Sequence, residues 1–216
     1  MTAAWTWTAV GLTAGALAVY ESLLILDQRR RPARLARSRH AALREDWFIA
    51  VSRQAGSELL AVQTLRNSLM SATMLASTAA LALMATVSLL APSLHAGLEA
   101  ARGVADVDAR LALELLLLAL LCASLVASLM AVRFYNHAGF VGGMPVGSGA
   151  RTRWSQAGVR YVRQAGILYG VGLRQLVLVV PVVAAVLLPA AGPLAAALVC
   201  GVLHVLDRFG DASADA

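Results

Sequence analysis

The 216-residue sequence has no lysine, only two cysteines and only 14% charged residues, against about 25% charged in an ordinary soluble domain. So little charge, beside 59% hydrophobic residues, lies far from an ordinary soluble domain and points to a chain whose apolar side chains face lipid. Without lysine, all 18 basic residues are arginine, and together with the many alanines and glycines this resembles the usage of a GC-rich bacterial genome. Cys122 and Cys200 each fall inside an apolar run, which excludes a disulfide scaffold and leaves two small hydrophobes. Catalytic signatures are missing too: no Walker loop, no H-E-x-x-H, no G-x-S-x-G and no carboxylate-rich metal motif. No acid, base or nucleophile can therefore be nominated for an enzyme, and no cofactor is expected. His95 and His204 lack a C-x-x-C-H partner and do not make a haem pair. No ionisable residue falls at the centre of a span, which disfavours a proton pump built on a mid-membrane carboxylate.

What is present is length of apolar helix. Crossing about 30 Å of hydrocarbon takes roughly 20 apolar residues, because backbone groups in lipid must bond within their own segment. Four stretches qualify, at about 4–26, 68–91, 111–132 and 176–206. The expected fold is all-α: an integral membrane bundle of four transmembrane helices with helical cytoplasmic extensions. The first stretch has no basic residues before it and is followed by Asp27-Gln28-Arg29-Arg30-Arg31, so it is expected to stay as an anchor. Pro189, Gly192 and Pro193 interrupt the last. A single Pro-kinked pass is the preferred reading, because it leaves the acidic tail outside; a re-entrant hairpin or a fifth crossing is the alternative.

Charge sets the orientation. Residues 27–66 carry nine arginines against four acids, and residues 133–175 carry six arginines and no acid. Both arms are expected in the cytoplasm, with both termini outside, in a bacterial inner membrane. This placement makes the pI of about 10.3 a matter of membrane topology, and nucleic acid is not expected as a partner. Apolar residues at helical spacing from Leu43 to Leu65 and from Arg153 onward predict helices within the arms. The segment from Gly139 to Gly149, with Pro145, reads as a linker. Trp47 and Trp154 each precede an arginine by six residues, an echo that duplication and chance both explain.

Polar residues at the inner ends of the spans are the candidate site. Gln63, Asn67, Ser71 and Thr78 share one helical face. Such a stripe either glues helices together or lines a path for a solute or ion. By topology Arg66, Arg133, Asn136, His137 and Arg174 gather with Gln63 and Asn67 at the cytoplasmic mouth, either as an anion or phospholipid site or as interfacial anchors. Glu21, the acid well within span one, is expected to pair with Arg66, Arg133 or Arg174. Glu114 is expected to be solvated. Gly166 and Gly170, with Gly158 and Gly172 nearby, allow close helix approach within the chain or between copies.

The segment Ala61-Val-Gln-Thr-Leu-Arg-Asn-Ser-Leu-Met, its continuation through Thr73-Met-Leu-Ala-Ser-Thr, the Arg133-Phe-Tyr-Asn-His run and Gly172-Leu-Arg174 resemble the bacterial and plant membrane family catalogued as domain of unknown function 599. The resemblance covers roughly residues 8 to 208 and implies a small multi-span membrane protein with no activity to carry over. Two functions are carried forward. One is a bundle that binds or conducts an ion, an anion or a lipid headgroup, with membrane lipid and further copies of itself as partners. The other is an interaction module whose basic arms dock a cytoplasmic protein.

Overall fold

The computed structural model describes residues 3–30, 36–102 and 108–208. Six helices account for them: α1 (Ala3–Arg30), α2 (Ala36–Arg53), α3 (Glu58–Arg102), α4 (Ala109–Gly142), α5 (Gly149–Leu187) and α6 (Ala191–Arg208). Four helices are long and apolar enough to cross a membrane, within Ala4–Gln28, Glu58–Ser93, Ala109–Gly142 and Gly149–Leu187. The chain is therefore built as a multi-pass membrane protein of helices alone among the described residues.

The arms are helical, but their breaks differ from the expected ones. The predicted run from Leu43 to Leu65 is divided between α2 and α3, because Gly56 takes a left-handed φ of 84° that ends the helix. The Ser57 hydroxyl lies within hydrogen-bonding distance of the Val51 and Gln54 carbonyls (2.7 and 2.6 Å), satisfying the freed end of α2. Helix α4 continues ten residues past the expected end of its span, to Gly142, before turning at Gly147, which also has φ 84°. Ser148 then caps α5 by accepting from the Arg151 amide. Helices α3 and α5 each run unbroken from an arm into a span.

The last apolar region corrects the preferred single pass. Leu188 precedes a proline, adopts extended φ and ψ of −147° and 105°, and closes α5. A short turn, with Ala191 N donating to Leu188 O and Gly192 N to Pro189 O, reverses the chain. Gly192 makes the reversal compact, since a Cβ there would stand 2.6 Å from Ala185 Cβ and 2.5 Å from Thr13 Oγ1. Helix α6 runs back along α5, so that Asp207 lies 3.0 Å from Arg174. The end of α6 thus returns to the arm side of the bundle; the tail beyond Arg208, expected on the opposite side, lies outside the described residues.

Helices α4 and α5 form the spine and carry two cores. Leu113, Leu117, Leu121, Leu178, Val182 and Ala185 join Val10, Leu17 and Tyr20 of α1 and Ala196 of α6 in one. Tyr135, Ala138, Val141, Val162 and Ala165 join Phe48 of α2 and Leu65 and Ala72 of α3 in the other, which gathers the arms. Between them α4 and α5 touch almost backbone to backbone. The fully buried Ser124 donates to the Gly172 carbonyl (2.8 Å), and Ser128 donates to Ser124 O (2.7 Å). A Cβ at residue 172 would meet Ser128 Oγ at 2.5 Å and Ser124 O at 3.2 Å. Gly158 likewise makes room for Phe48, whereas nothing lies within 4 Å of a Cβ at Gly170.

This contrast generates a measurable difference. Gly172→Ala should lower the thermal midpoint of the purified protein, at a cost of about 1–3 kcal/mol for overpacking. Gly170→Ala should leave it unchanged or raise it slightly, through helix propensity alone. Equal effects at the two positions would contradict the packing described.

Candidate functional site

The face that α4 turns inward carries Ala131, Tyr135 and Ala138, three and four residues apart. Arg133 and Asn136 lie between these positions and are exposed; His137 is half-buried, its ring 5.5 Å from that of Tyr161. On α3 the buried positions are Ala61, Leu65, Ala72, Leu75, Ala76 and Ala79, which leaves Gln63, Arg66, Asn67, Ser71 and Thr78 exposed. The hydroxyls of Ser71 and Thr78 donate to their own helix, at Asn67 O (3.1 Å) and Met74 O (2.9 Å). Among the described residues no hydrogen bond or ion pair joins Gln63, Arg66, Arg133 and Asn136 to one another. The stripe does not glue α3 to its neighbours within the chain.

Arg174 and Glu21 are half-buried, with partners the sequence did not suggest. Arg174 Nη2 donates to both oxygens of Asp207 (3.0 and 3.1 Å), Tyr20 donates its hydroxyl to Asp207 Oδ2 (3.1 Å), and the guanidinium stands 6.0 Å over the Tyr20 ring. Glu21 accepts from Gln175 Nε2 at 3.0 Å instead of pairing with an arginine. The reason is the hairpin: it delivers a carboxylate from the end of α6 to Arg174, and the next residue of α5 is left to meet Glu21. Glu114 is a further correction. It is buried, not solvated, held by Arg110 Nε (2.9 Å) and by Ser93 Oγ (3.0 and 3.2 Å).

Where the two cores meet, the structure builds a polar site around a residue the sequence reading passed over. Arg44 of α2 lays its guanidinium against Gly166 of α5, in space that any larger side chain would occupy. On one side of it Ser68, Ser71, Tyr135 and Tyr169 line a cavity of about 140 Å³. On the other, Arg44 lines a cleft of about 420 Å³ with His40, Tyr169, Arg174 and Asp207. The walls of that cleft are apolar, from Leu173, Val177, Leu203 and Leu206. Among the described residues no carboxylate pairs with Arg44, the one acid of the cleft is already engaged by Arg174, and Arg174 Nε is buried without an acceptor. Two guanidiniums, an imidazole and two phenols can donate to an anion; the aliphatic walls can hold an apolar chain beside it.

A signal for Arg44 did exist. It sits three residues after Ala41 and four before Phe48, on the apolar stripe that α2 buries, where a solvated arginine is out of place. Tyr135 was legible in the same way, seven residues from Ser128 on the buried face of α4.

Asp207→Asn should destabilise the protein by about 2 kcal/mol or more, since it leaves a nearly buried guanidinium without its counter-charge. Pairing it with Arg174→Gln should cost less than the two single changes summed, by more than about 0.5 kcal/mol, in a double-mutant cycle of thermal midpoints. Strict additivity would show that the contact contributes nothing.

Comparison with known proteins gives one result. No curated protein and no solved structure matches the chain. The family model described as "Protein of unknown function, DUF599" matches residues 8–212, nearly the whole length and including every residue of the site above. The chain belongs to that family of proteins of unknown function.

Proposed function

We propose that the protein binds the headgroup of an anionic lipid in the cleft around Arg44, in a bacterial inner membrane, with both basic arms in the cytoplasm. Arg44 carries this reading: a cation set into a groove over Gly166, between a hydroxyl-lined cavity and an aliphatic-walled cleft, with no acid among the described residues to neutralise it. A phospholipid phosphate supplies the missing negative charge, and its acyl chains match Leu173, Leu203 and Leu206. The arginine excess of residues 27–66 and 133–175 favours the cytoplasmic side for this end.

Binding is favoured over conduction. The core between α1, α4, α5 and α6 is filled by Leu117, Leu121, Leu178 and Val182, all buried, so the described residues offer an ion no polar path through that core. The exposed stripe of Gln63, Asn67, Ser71 and Thr78 favours assembly instead. Polar side chains facing lipid gain hydrogen bonds when a second helix covers them, by about 0.6–2 kcal/mol each. Only 17% of the apolar window in α3 is buried in the single chain, against 28–33% in the other three spans, which makes α3 the face for a second copy.

Native mass spectrometry of protein released from its membrane in mild detergent tests both features at once. The expected spectrum is an oligomer retaining anionic phospholipid, with retention about tenfold lower in Arg44→Gln and unchanged in Arg153→Gln, whose side chain is exposed and far from the cleft. Lipid retained equally by both variants, or absent from the wild type, would overturn the headgroup reading; a monomer would overturn the role of α3.

A further inference from the structure

At the far end of the arms lies a second basic cleft, of about 570 Å³, between α2 and the start of α5. Arg151 is its anchor. It is 3% exposed, donates through Nη1 to Val141 O and to Met144 O (3.3 Å), donates through Nη2 to Ser52 Oγ (2.9 Å), and stands 5.6 Å over the Phe48 ring. These bonds close the end of α4 and fix the guanidinium, yet Nε is buried with no acceptor and none of the partners is a carboxylate. The acid that acts on it is Glu58, whose Oε1 is already held by the Val146 amide at 2.8 Å.

Arg53 and Arg160 line the same cleft with Ser52, Ser155 and Gln156, and among the described residues no acid lines it. Three guanidiniums around one space repel one another, so the arrangement is stabilised when an anion of charge −2 or more enters. The cleft is far larger than a bare phosphate, and Ile49 and Val159 give it an apolar wall for an organic body. It also stands at the arginine-rich start of α5, away from the apolar run of that helix. Arg151 lies 15 residues before Gly166 on one continuous helix, about 22 Å from the headgroup cleft, and Arg153, Arg160 and Arg163 stud the helix between.

We infer that this cleft binds a water-soluble phosphate ester, of the size of a nucleotide or a sugar phosphate, through Arg53, Arg151 and Arg160. The site is separate from the headgroup cleft and does not rest on that reading. A bound ester bridges α2 to α5 across the arms, so its occupancy is felt by the same α2 that carries Arg44.

The test uses the full chain in nanodiscs of neutral phosphatidylcholine, titrated calorimetrically with a panel of nucleoside mono- and diphosphates and hexose phosphates. Binding of at least one phosphorylated probe is expected, weakening as salt rises, with the parent nucleoside or sugar silent. Arg53→Gln and Arg160→Gln, both at exposed positions that leave the Arg151 cap intact, should each weaken binding about tenfold. Lipid retention in either variant should match the wild type. If no phosphorylated probe binds, or binding is indifferent to both substitutions, or these arginines bind anionic-lipid vesicles in place of soluble esters, the inference is overturned.

Discussion

Helices α4 and α5, at 34 and 39 residues, run about 51 and 58 Å, whereas hydrocarbon needs only about 30 Å. Roughly 20 Å or more of each must therefore stand beyond the lipid, and the other features follow from how that surplus is covered. Helix α2 and the first turns of α3 pack on it through Phe48 and Leu65, making a second core. The hydrogen bond from Ser124 to Gly172 locks the spine between the two cores. Just beside that lock the hairpin of α5 and α6 returns Asp207 to Arg174 and Tyr20. Polar groups collect there because it is the level at which an apolar wall on one side meets a polar arm on the other.

Much of this was legible in the sequence, for the reason that lipid allows few solutions. A long apolar run must be a helix, and the arginine-rich segments between such runs must sit together on one side. The family resemblance, read from the Gln63–Asn67 segment and Arg133-Phe-Tyr-Asn-His, also held. What could not be read was which way each helix turns. Gln63, Asn67 and Asn136 are polar residues at the right depth, but the alanines beside them, Ala61, Ala72 and Ala138, take the interior because a small side chain lets helices approach. Charge alone favours a single pass over the hairpin, because the last residues are acidic. The hairpin's stability comes from Gly192 against Ala185 and from the Arg174–Asp207 pair, both of which are tertiary facts. Arg44 and Arg151 escaped notice because counting charge by segment treats every arginine as solvated.

The two basic sites follow from one economy of construction. Each uses an arginine on a buried helix face, placed against a glycine or an aromatic ring, and among the described residues neither arginine is paired with an acid: Arg44 over Gly166, Arg151 over Phe48. One lies beside the aliphatic residues of α5 and α6 and suits an amphiphile. The other lies among arginines at the far end of the arms and suits a solute. A protein with both would connect the state of the inner leaflet to the state of the cytosol through α2, without moving anything across the membrane.

All of this depends on where along α5 the lipid ends. Spin labels at Trp154, Gln164, Leu173, Val180 and Leu187, all exposed on that helix, measure the depth directly by power saturation with oxygen and with a water-soluble nickel reagent. The two-core arrangement predicts nickel accessibility at 154 and 164, oxygen accessibility at 180 and 187, and a crossover near 173. A lipid signature extending to 154, or water reaching 180, would contradict it.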